Sequence, residues 1–267
     1  MKIFIAVDLE GVAGYVQWDQ ADRQRERDFV TGDANAAVAG AFDGGATEVV
    51  VSEAHGNMRN IIPEKLDPRA TFISGQPKPQ DHMVAIDDTF QAAMLVGYHS
   101  KSGTLRGVMA HTYRGNIFSL SFNGTEVGEI GTDAAIAGYY RVPVALVTGD
   151  DAACEEARSL LGNVQTVSVK DGISRYAAKC ISVDESRRLI REGAKKAVSR
   201  VVGATPFTFN PPVQTTVTFI DSSYADAVSR LPSLTRVDGR TVKFTGEDYL
   251  KAFETLAVVY RLAGSYQ

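Results

Sequence analysis

Two acidic residues stand at the end of the first apolar run of the chain. Asp8 and Glu10 follow residues 2–7 and are separated by one residue. In an extended chain, side chains two positions apart point to the same side, so these carboxylates would repel each other without a cation. Such a pair at the carboxyl end of a strand is well suited to hold a divalent metal ion. A turn or helix cap, with Gly11 ending the strand, explains the motif equally well when it is taken alone.

Two histidines follow other predicted strands at the same kind of position. His55 comes after residues 48–52, and His99 comes after residues 93–97. A single histidine is more often a hydrogen-bonded structural residue than a ligand. The carboxyl ends of parallel strands share one edge of a sheet, however, so the histidines and the two acids should meet there. Nitrogen and oxygen ligands of this kind are those that zinc prefers.

His111 and Glu129 complete the set of candidate functional residues. His111 lies on a loop shortly after His99, and an imidazole that titrates near neutrality is suited to proton transfer. The alternative is a loop histidine in ordinary hydrogen bonds. Glu129 precedes a predicted helix, where a carboxylate also favours the positive end of the helix dipole. His82 follows no strand, and we predict it to be a surface residue.

Other polar motifs favour structural roles. We interpret Asp150 and Asp151 as helix-capping residues, and Lys170 with Asp171 as part of a turn before Gly172. The glycines at 128 and 131 lack the remaining pattern and the lysine of a phosphate-binding loop. No G-x-S-x-G motif is present, and neither cysteine has a nearby histidine in the sequence, which disfavours covalent catalysis.

The elements that position these residues follow an α/β pattern, with short β-branched runs alternating with alanine-rich helical stretches. We therefore predict a mainly parallel sheet flanked by helices, with a smaller C-terminal α/β lobe. The predicted strands are 2–7, 48–52, 93–97, 117–123, 144–148 and 213–220, and the predicted helices are 33–42, 133–140, one after Asp150, 184–202 and 246–262. Asn123 and Gly124 predict a hairpin that leads into Glu129.

The pattern changes beyond about residue 165, where a long amphipathic helix and several prolines appear. This change predicts a metal-binding catalytic α/β domain at residues 1–164 and a C-terminal lobe at residues 165–267.

The composition narrows the classes of function. The 267 residues carry a formal net charge of −4 without a basic patch, which disfavours nucleic-acid binding. The apolar start is interrupted by acids too early for a signal peptide or a membrane span. The two cysteines, Cys154 and Cys180, do not have the spacing of a zinc site or a disulfide framework, so we expect a cytoplasmic protein.

Taken together, five motifs resemble those of the DppA-type zinc-dependent D-aminopeptidase family. They are VDLEG at 7–11, EAH at 53–55, GYH at 97–99, GVMAH at 107–111 and VGEIG at 127–131. Their order and spacing match the family, and the resemblance extends over nearly the whole chain. Glu53 departs from the family pattern, in which a shorter acid precedes the histidine, and this leaves the contacts around the ligands open.

The resemblance implies a role for each candidate residue. Asp8 would bridge two zinc ions per subunit, Glu10 and His55 would complete one site, and His99 and Glu129 would complete the other. His111 falls on the position of the family's catalytic histidine.

The implied activity is hydrolysis of short peptides or amino-acid amides that begin with a D-amino acid, by a binuclear metal-hydroxide mechanism. The resemblance also implies a ring-like homo-oligomer, a decamer. From the residues alone, another binuclear metallohydrolase (an amidase or phosphoesterase) and a non-catalytic metal-binding α/β protein stay open.

Overall fold

Two β-sheets and six α-helices are the main elements of the part of the chain that the computed structural model describes, which is residues 1–18, 22–201 and 203–265. The strands are β1 (Lys2–Val7), β2 (Glu48–Glu53), β3 (Ala70–Ile73), β4 (Ala92–Tyr98), β5 (Ile117–Phe122), β6 (Thr125–Glu126), β7 (Val144–Asp150), β8 (Gln165–Ser174), β9 (Ala177–Cys180), β10 (Val213–Phe219), β11 (Thr235–Arg236) and β12 (Thr241–Gly246). The helices are α1 (Arg23–Asp43), α2 (Glu129–Tyr139), α3 (Asp151–Leu161), α4 (Val183–Ser199), α5 (Ser222–Val228) and α6 (Tyr249–Gly264).

The larger sheet has seven strands in the order β3-β2-β1-β4-β7-β8-β9. All neighbours are parallel except β9, which pairs with β8 in the antiparallel direction at the edge. The central strands β1, β4 and β7 are almost completely buried, because helices cover both faces of the sheet. The predicted fold class, a mainly parallel sheet flanked by helices, is confirmed.

One face of this sheet is covered by α1 and α4, which pack against each other. Ile3 and Ile5 of β1 belong to the same core cluster as Ala37 of α1 and Ile190 of α4. The helices approach closely at Gly40, where a Cβ atom would lie 2.2 Å from the Arg191 carbonyl oxygen. This layer lies on the side of the sheet away from the second sheet.

The smaller sheet is antiparallel, with the order β11-β12-β10-β5-β6. Its buried side chains share one core cluster with α2, α6 and the other face of the seven-stranded sheet, including Leu120, Phe244, Ile130, Phe253 and Leu95. Helices α2 and α6 therefore join the two sheets into a continuous core.

Two glycines allow neighbouring segments to approach around the carbonyl oxygen of Tyr98. A Cβ atom on either Gly11 or Gly149 would lie 2.1 Å from that oxygen, which is closer than real Cβ contacts. The N–H of Gly11 also donates to the Gly97 carbonyl oxygen at 2.7 Å. The segment after β1 consequently lies directly against the end of β4.

Most predicted elements are present, with shifted ends. The structure starts α1 at Arg23 rather than residue 33, because Asp22 caps a polar first turn by accepting from the Arg25 N–H. It starts α2 at Glu129 rather than residue 133. The predicted hairpin is confirmed as β5 and β6. The predicted helix 184–202 is observed as α4, and residue 202 lies outside the described residues.

The division into residues 1–164 and 165–267 stays a prediction. Strands on both sides of residue 164 contribute to each sheet, since β8 and β9 belong to the larger one and β5 and β6 to the smaller one. Among the described residues, no helix combines the length and apolar character needed to cross a membrane.

Candidate metal centre

The acids and histidines predicted at the strand ends lie together at the carboxyl edge of the seven-stranded sheet. Asp8 and Glu10 follow β1, His55 follows β2 and His99 follows β4. The Nδ1 atom of His55 lies 2.8 Å from Glu10 Oε2 and 3.3 Å from Asp8 Oδ1. This part of the site therefore offers two carboxylates and one imidazole within contact distance.

A second group of possible ligands lies on the other side of Asp8. The Nε2 atom of His99 is 3.6 Å from Asp8 Oδ2 and 3.4 Å from Glu129 Oε1. Glu129 is the first residue of α2, so its carboxylate also benefits from the helix dipole. Asp8 thus faces His55 with one oxygen and His99 with the other. We refer to Asp8, Glu10, His55, His99 and Glu129 as the acidic floor.

Two atoms of the acidic floor lack hydrogen-bond partners among the described residues. Asp8 Oδ2 and His99 Nε2 are both buried and without a partner, although they lie in a polar setting. The other ring nitrogen of His99, Nδ1, lies 2.9 Å from the Ser100 carbonyl oxygen and donates to it. In the neutral ring this leaves the Nε2 lone pair for a metal ion, as in metal-binding histidines oriented by a carbonyl group. Buried atoms without partners are costly, and this donor set fits zinc.

Burial and neighbouring charges shift the pKa values of the residues in the acidic floor. Burial and the neighbouring Glu10 raise the pKa of Asp8 to about 6. Burial also disfavours the charged form of Glu129, but the nearby histidines, His99 above all, together outweigh it and lower the Glu129 pKa to about 2. For His99, burial lowers the pKa, whereas Glu129 and Asp8 raise it to about 10. Positive charge is thus stabilised at the floor, and a divalent cation would satisfy the same acids.

His111 lies against the floor, as predicted for a proton-transfer residue. Its ring stacks on that of His99, with centroids 4.0 Å apart, and its Nε2 atom is 3.8 Å from Glu129 Oε1. Its Nδ1 atom donates to the Met109 carbonyl oxygen at 2.8 Å, which fixes the ring orientation. Burial and the adjacent His99 lower the pKa of His111. The uncharged form, with Nε2 free to accept a proton, is therefore favoured at neutral pH.

His82 corrects one of our predictions, because it is not a surface residue. It is buried in a short 3-10 helix (Asp81–Met83), and its Nδ1 atom lies 2.8 Å from Asp133 Oδ2, which also accepts from the Tyr98 hydroxyl at 2.6 Å. The His82 Nε2 atom lies 3.9 Å from Glu129 Oε2. The partners of His82 come from distant parts of the chain, so no local signal in the sequence indicated its place.

Lys170 corrects a second prediction, because it lies in β8 and not in a turn. Its buried ammonium group donates to the carbonyl oxygen of Val12 at 3.0 Å and to those of Glu10 and Tyr15. Burial lowers the pKa of Lys170 to about 8. The lysine therefore ties the segment that carries Glu10 to the seven-stranded sheet, a role that the sequence did not indicate.

Trp18 is a further contact of the floor that the sequence did not indicate. Its indole N–H donates to Glu10 Oε1 at 2.7 Å, and its ring meets that of His111 edge to face. Asp150, in contrast, has the capping role that we predicted, accepting from the backbone N–H groups of Ala153 and Val108.

The acidic floor opens into a cleft with a volume of about 620 Å³. Asp8, Glu10, His55 and Glu129 line its base, and His111 and Trp18 lie beside them. On another part of the lining are Tyr113, Arg114, Tyr260 and Arg261, which we call the tyrosine–arginine wall. The cleft therefore joins a buried, acidic region to a partly exposed, basic one.

Comparison with known proteins gives a consistent result. A family model described as D-aminopeptidase matches residues 1–258. The chain is 37% identical over 269 residues to a D-aminopeptidase from Bacillus subtilis (strain 168), covering 98% of each protein. Among solved structures, it matches the Zn-dependent D-aminopeptidase DppA from Bacillus subtilis, described as a self-compartmentalizing protease, with a TM-score of 0.95 and 36% identity. That match covers 99% of this chain and 98% of the other.

Proposed function

The chain belongs to the D-aminopeptidase family, and we propose that it is a zinc-dependent aminopeptidase that removes an N-terminal D-residue from short peptides or amino-acid amides. The observation that carries this proposal is the acidic floor. Three buried carboxylates and two imidazoles converge there, and Asp8 Oδ2 and His99 Nε2, 3.6 Å apart, form no hydrogen bond with the described residues. Such a set is costly for a protein to bury unless a cation binds it.

We propose that the floor holds two zinc ions. Asp8 would contribute to both, Glu10 and His55 would hold one, and His99 and Glu129 would hold the other. The support is the division of contacts at Asp8, whose Oδ1 atom lies 3.3 Å from His55 and whose Oδ2 atom lies 3.6 Å from His99. When bound, zinc would polarise the scissile carbonyl group and make a water molecule more acidic.

His111 would move the proton in this reaction. Since its Nδ1–H is committed to the Met109 carbonyl oxygen, Nε2 is the atom that would take a proton from the attacking water and return it to the leaving amine. Its lowered pKa keeps Nε2 unprotonated before the reaction. Trp18 would hold the Glu10 carboxylate in place through its indole N–H and would restrict water on that side of the cleft.

The test is a matched panel of substrates assayed with zinc restored and with a chelator present. We expect hydrolysis of D-alanyl peptides and D-alanine amide, little hydrolysis of the L-enantiomers, and loss of all activity with the chelator. Elemental analysis should give two zinc ions per chain. Hydrolysis of phosphate esters instead of aminoacyl compounds would contradict the proposal, as would a protein that neither contains nor binds a transition metal.

We also propose that the protein forms a ring-like homo-oligomer, a decamer, in the cytoplasm. The solved relative is a self-compartmentalizing protease, and both cysteines of this chain are unpaired, which is typical of a reducing compartment. Light scattering after size-exclusion chromatography tests the assembly, and a mass corresponding to a monomer would contradict it. Fractionation of cells that express the chain tests its location.

A further inference from the structure

The tyrosine–arginine wall contributes two guanidinium groups to the lining of the cleft. The rings of Tyr113 and Tyr260 stack with centroids 4.6 Å apart and an angle of 5°. Each tyrosine is followed directly by an arginine, Arg114 in one case and Arg261 in the other. Arg114 also extends along α6, since its Cδ atom lies 3.4 Å from the position that a Cβ atom on Gly264 would occupy. Both arginines line the cleft.

The positive charge of this wall is only partly compensated. Among the described residues, Arg261 has one ion-pair contact, between Nη2 and Asp81 Oδ2 at 3.4 Å, and the same oxygen accepts from the Tyr260 hydroxyl. The side chain of Arg114 makes no hydrogen bond or ion pair with the described residues. Both guanidinium groups attract an anion that enters the cleft, because like charges on one lining add their potentials. Guanidinium groups bind carboxylates especially well, because their paired N–H groups match the two oxygens.

The position of the wall relative to His111 indicates which end of a substrate it would meet. Arg114 follows His111 by three residues, and the Tyr113 N–H between them donates to Glu129 Oε1 at 2.7 Å. In the proposed reaction, His111 returns its proton to the leaving amine. The leaving residue would therefore lie on the side of the cleft where the wall begins.

On this basis, and resting on the proposed aminopeptidase function, we propose that Arg114 and Arg261 bind a carboxylate carried by the leaving residue. The preferred substrate class is then a dipeptide with a free C-terminal carboxylate. Such a molecule is positively charged at the end that meets the acidic floor and negatively charged at the end that meets the wall. An acidic side chain on the leaving residue offers the same chemistry from a different position.

The decisive experiment compares three substrates of the zinc-loaded protein: D-alanyl-glycine, D-alanyl-glycinamide, and D-alanyl-glutamic acid α-amide, which has only a side-chain carboxylate. We expect wild-type kcat/KM for D-alanyl-glycine to exceed that for the glycinamide by about tenfold or more. Arg114→Gln and Arg261→Gln should each reduce this ratio, mainly through KM, and leave hydrolysis of the glycinamide unchanged. If wild-type kcat/KM for the third substrate rises to that for D-alanyl-glycine, the wall binds side-chain carboxylates. If it stays at the value for the glycinamide, the wall binds the C-terminal carboxylate.

Arg240→Gln is the matched control, because Arg240 is exposed, carries the same charge and does not line the cleft. Its substrate ratio should equal that of wild type. Equal wild-type rates on the free dipeptide and its amide would overturn the inference, as would Arg114→Gln slowing both equally. If neither compound is hydrolysed, the proposed function fails. Calorimetric binding of the same two compounds then tests the wall separately, and equal affinity for both would overturn it.

Discussion

The acidic floor and the tyrosine–arginine wall line one cleft but are built in different ways. The floor is made of side chains at the ends of β1, β2 and β4 and at the start of α2, so the backbone of the parallel sheet sets its spacing. The wall depends on a side-chain stack between Tyr113 of a loop and Tyr260 of α6. Charged groups of the floor are buried, whereas Arg114 is exposed.

From this difference we infer that the acidic floor serves metal binding and catalysis, whereas the tyrosine–arginine wall serves substrate selection. Groups that hold metal need fixed geometry and low exposure to water, because small displacements weaken coordination and catalysis. Groups that select substrates need only a complementary charge within reach, and exposed side chains on a packed stack provide it. Changes in the floor should thus affect all substrates equally, while changes in the wall should affect some substrates more than others.

The largest effect is expected from Asp8→Asn. Because Asp8 contacts both sets of ligands, the variant should lose zinc from both and fall in kcat/KM by more than about a thousandfold on every substrate. Elemental analysis and the substrate panel measure this, and Asp88→Asn, at an exposed carboxylate outside the cleft, is the control. A variant that keeps both zinc ions would show that Asp8 does not join the two sets.

His111→Ala should separate catalysis from metal binding. We expect the variant to keep its zinc and lose about a hundredfold or more in kcat, since a general base or acid contributes on that scale. Elemental analysis and steady-state kinetics check the two parts together. Near-normal turnover with two zinc ions bound would remove His111 from the mechanism.

His82 lies between the two regions, and we expect an intermediate effect from His82→Met. Among the described residues, the substitution leaves the Asp133 carboxylate with the Tyr98 hydroxyl as its one hydrogen-bond donor, which should lower the free energy of unfolding by about 1–3 kcal/mol. Zinc affinity should fall roughly tenfold, since His82 lies beside Glu129. The double variant with Asp133→Asn should cost less than the sum of the two single variants in chemical denaturation, and additive losses would contradict the pairing.

Tyr260→Phe tests the wall with a smaller change. The stack with Tyr113 is kept, but Asp81 loses the hydroxyl donor and should attract Arg261 more strongly. We expect a fewfold loss in kcat/KM for D-alanyl-glycine and none for its amide, with stability reduced by about 1 kcal/mol. Equal losses on both substrates would place Tyr260 among the residues that serve the floor.

The smallest effect on activity is expected from substitution of Asp33, a buried carboxylate outside the cleft. Asp33 of α1 lies 3.6 Å from Arg187, and burial raises its pKa from 3.8 to about 7, with Arg187 opposing the shift. Because the folded protein binds this proton more tightly than the unfolded chain, the stabilisation is full below pH 3.8. It is lost as the pH rises to about 7, a change on the order of 4 kcal/mol.

Asp33→Asn should flatten this part of the profile of stability against pH and leave activity unchanged. Urea denaturation of both proteins between pH 4 and pH 8 provides the measurement, with zinc held at saturation. An unchanged slope would show that Asp33 keeps an ordinary pKa in the folded protein.

Much of the floor was predictable because strand ends are a local property of the sequence. The apolar runs before Asp8, His55 and His99 indicated parallel strands, and parallel strands deliver their ends to one edge. Glu129 was ambiguous by itself, since an acid at a helix start has two sufficient explanations, and the family resemblance assigned it to the ligands. Its position 3.4 Å from His99 agrees with that assignment.

The residues that were missed depend on contacts between distant segments. His82 is paired with Asp133, 51 positions away, and Lys170 donates to Glu10, 160 positions away. A regular alternation of apolar and polar residues can show whether a histidine is buried or exposed. The segment around His82 has no such alternation, so its sequence did not show that His82 is buried. The tyrosine–arginine wall was likewise not predictable from the sequence, since its stack joins a loop near residue 113 to the last helix.

The glycines around the Tyr98 carbonyl oxygen have a consequence for how the protein could be diversified. Any β-carbon at Gly11 or Gly149 would collide with that oxygen. The distance from Asp8 and Glu10 to His99 therefore requires glycine, which has no side chain, at both positions. No compensating change in a neighbouring side chain could restore it, because the obstacle is main chain. A mutant library selected for new substrates should therefore keep those two positions unvaried, while tolerating many residues at positions 114 and 261.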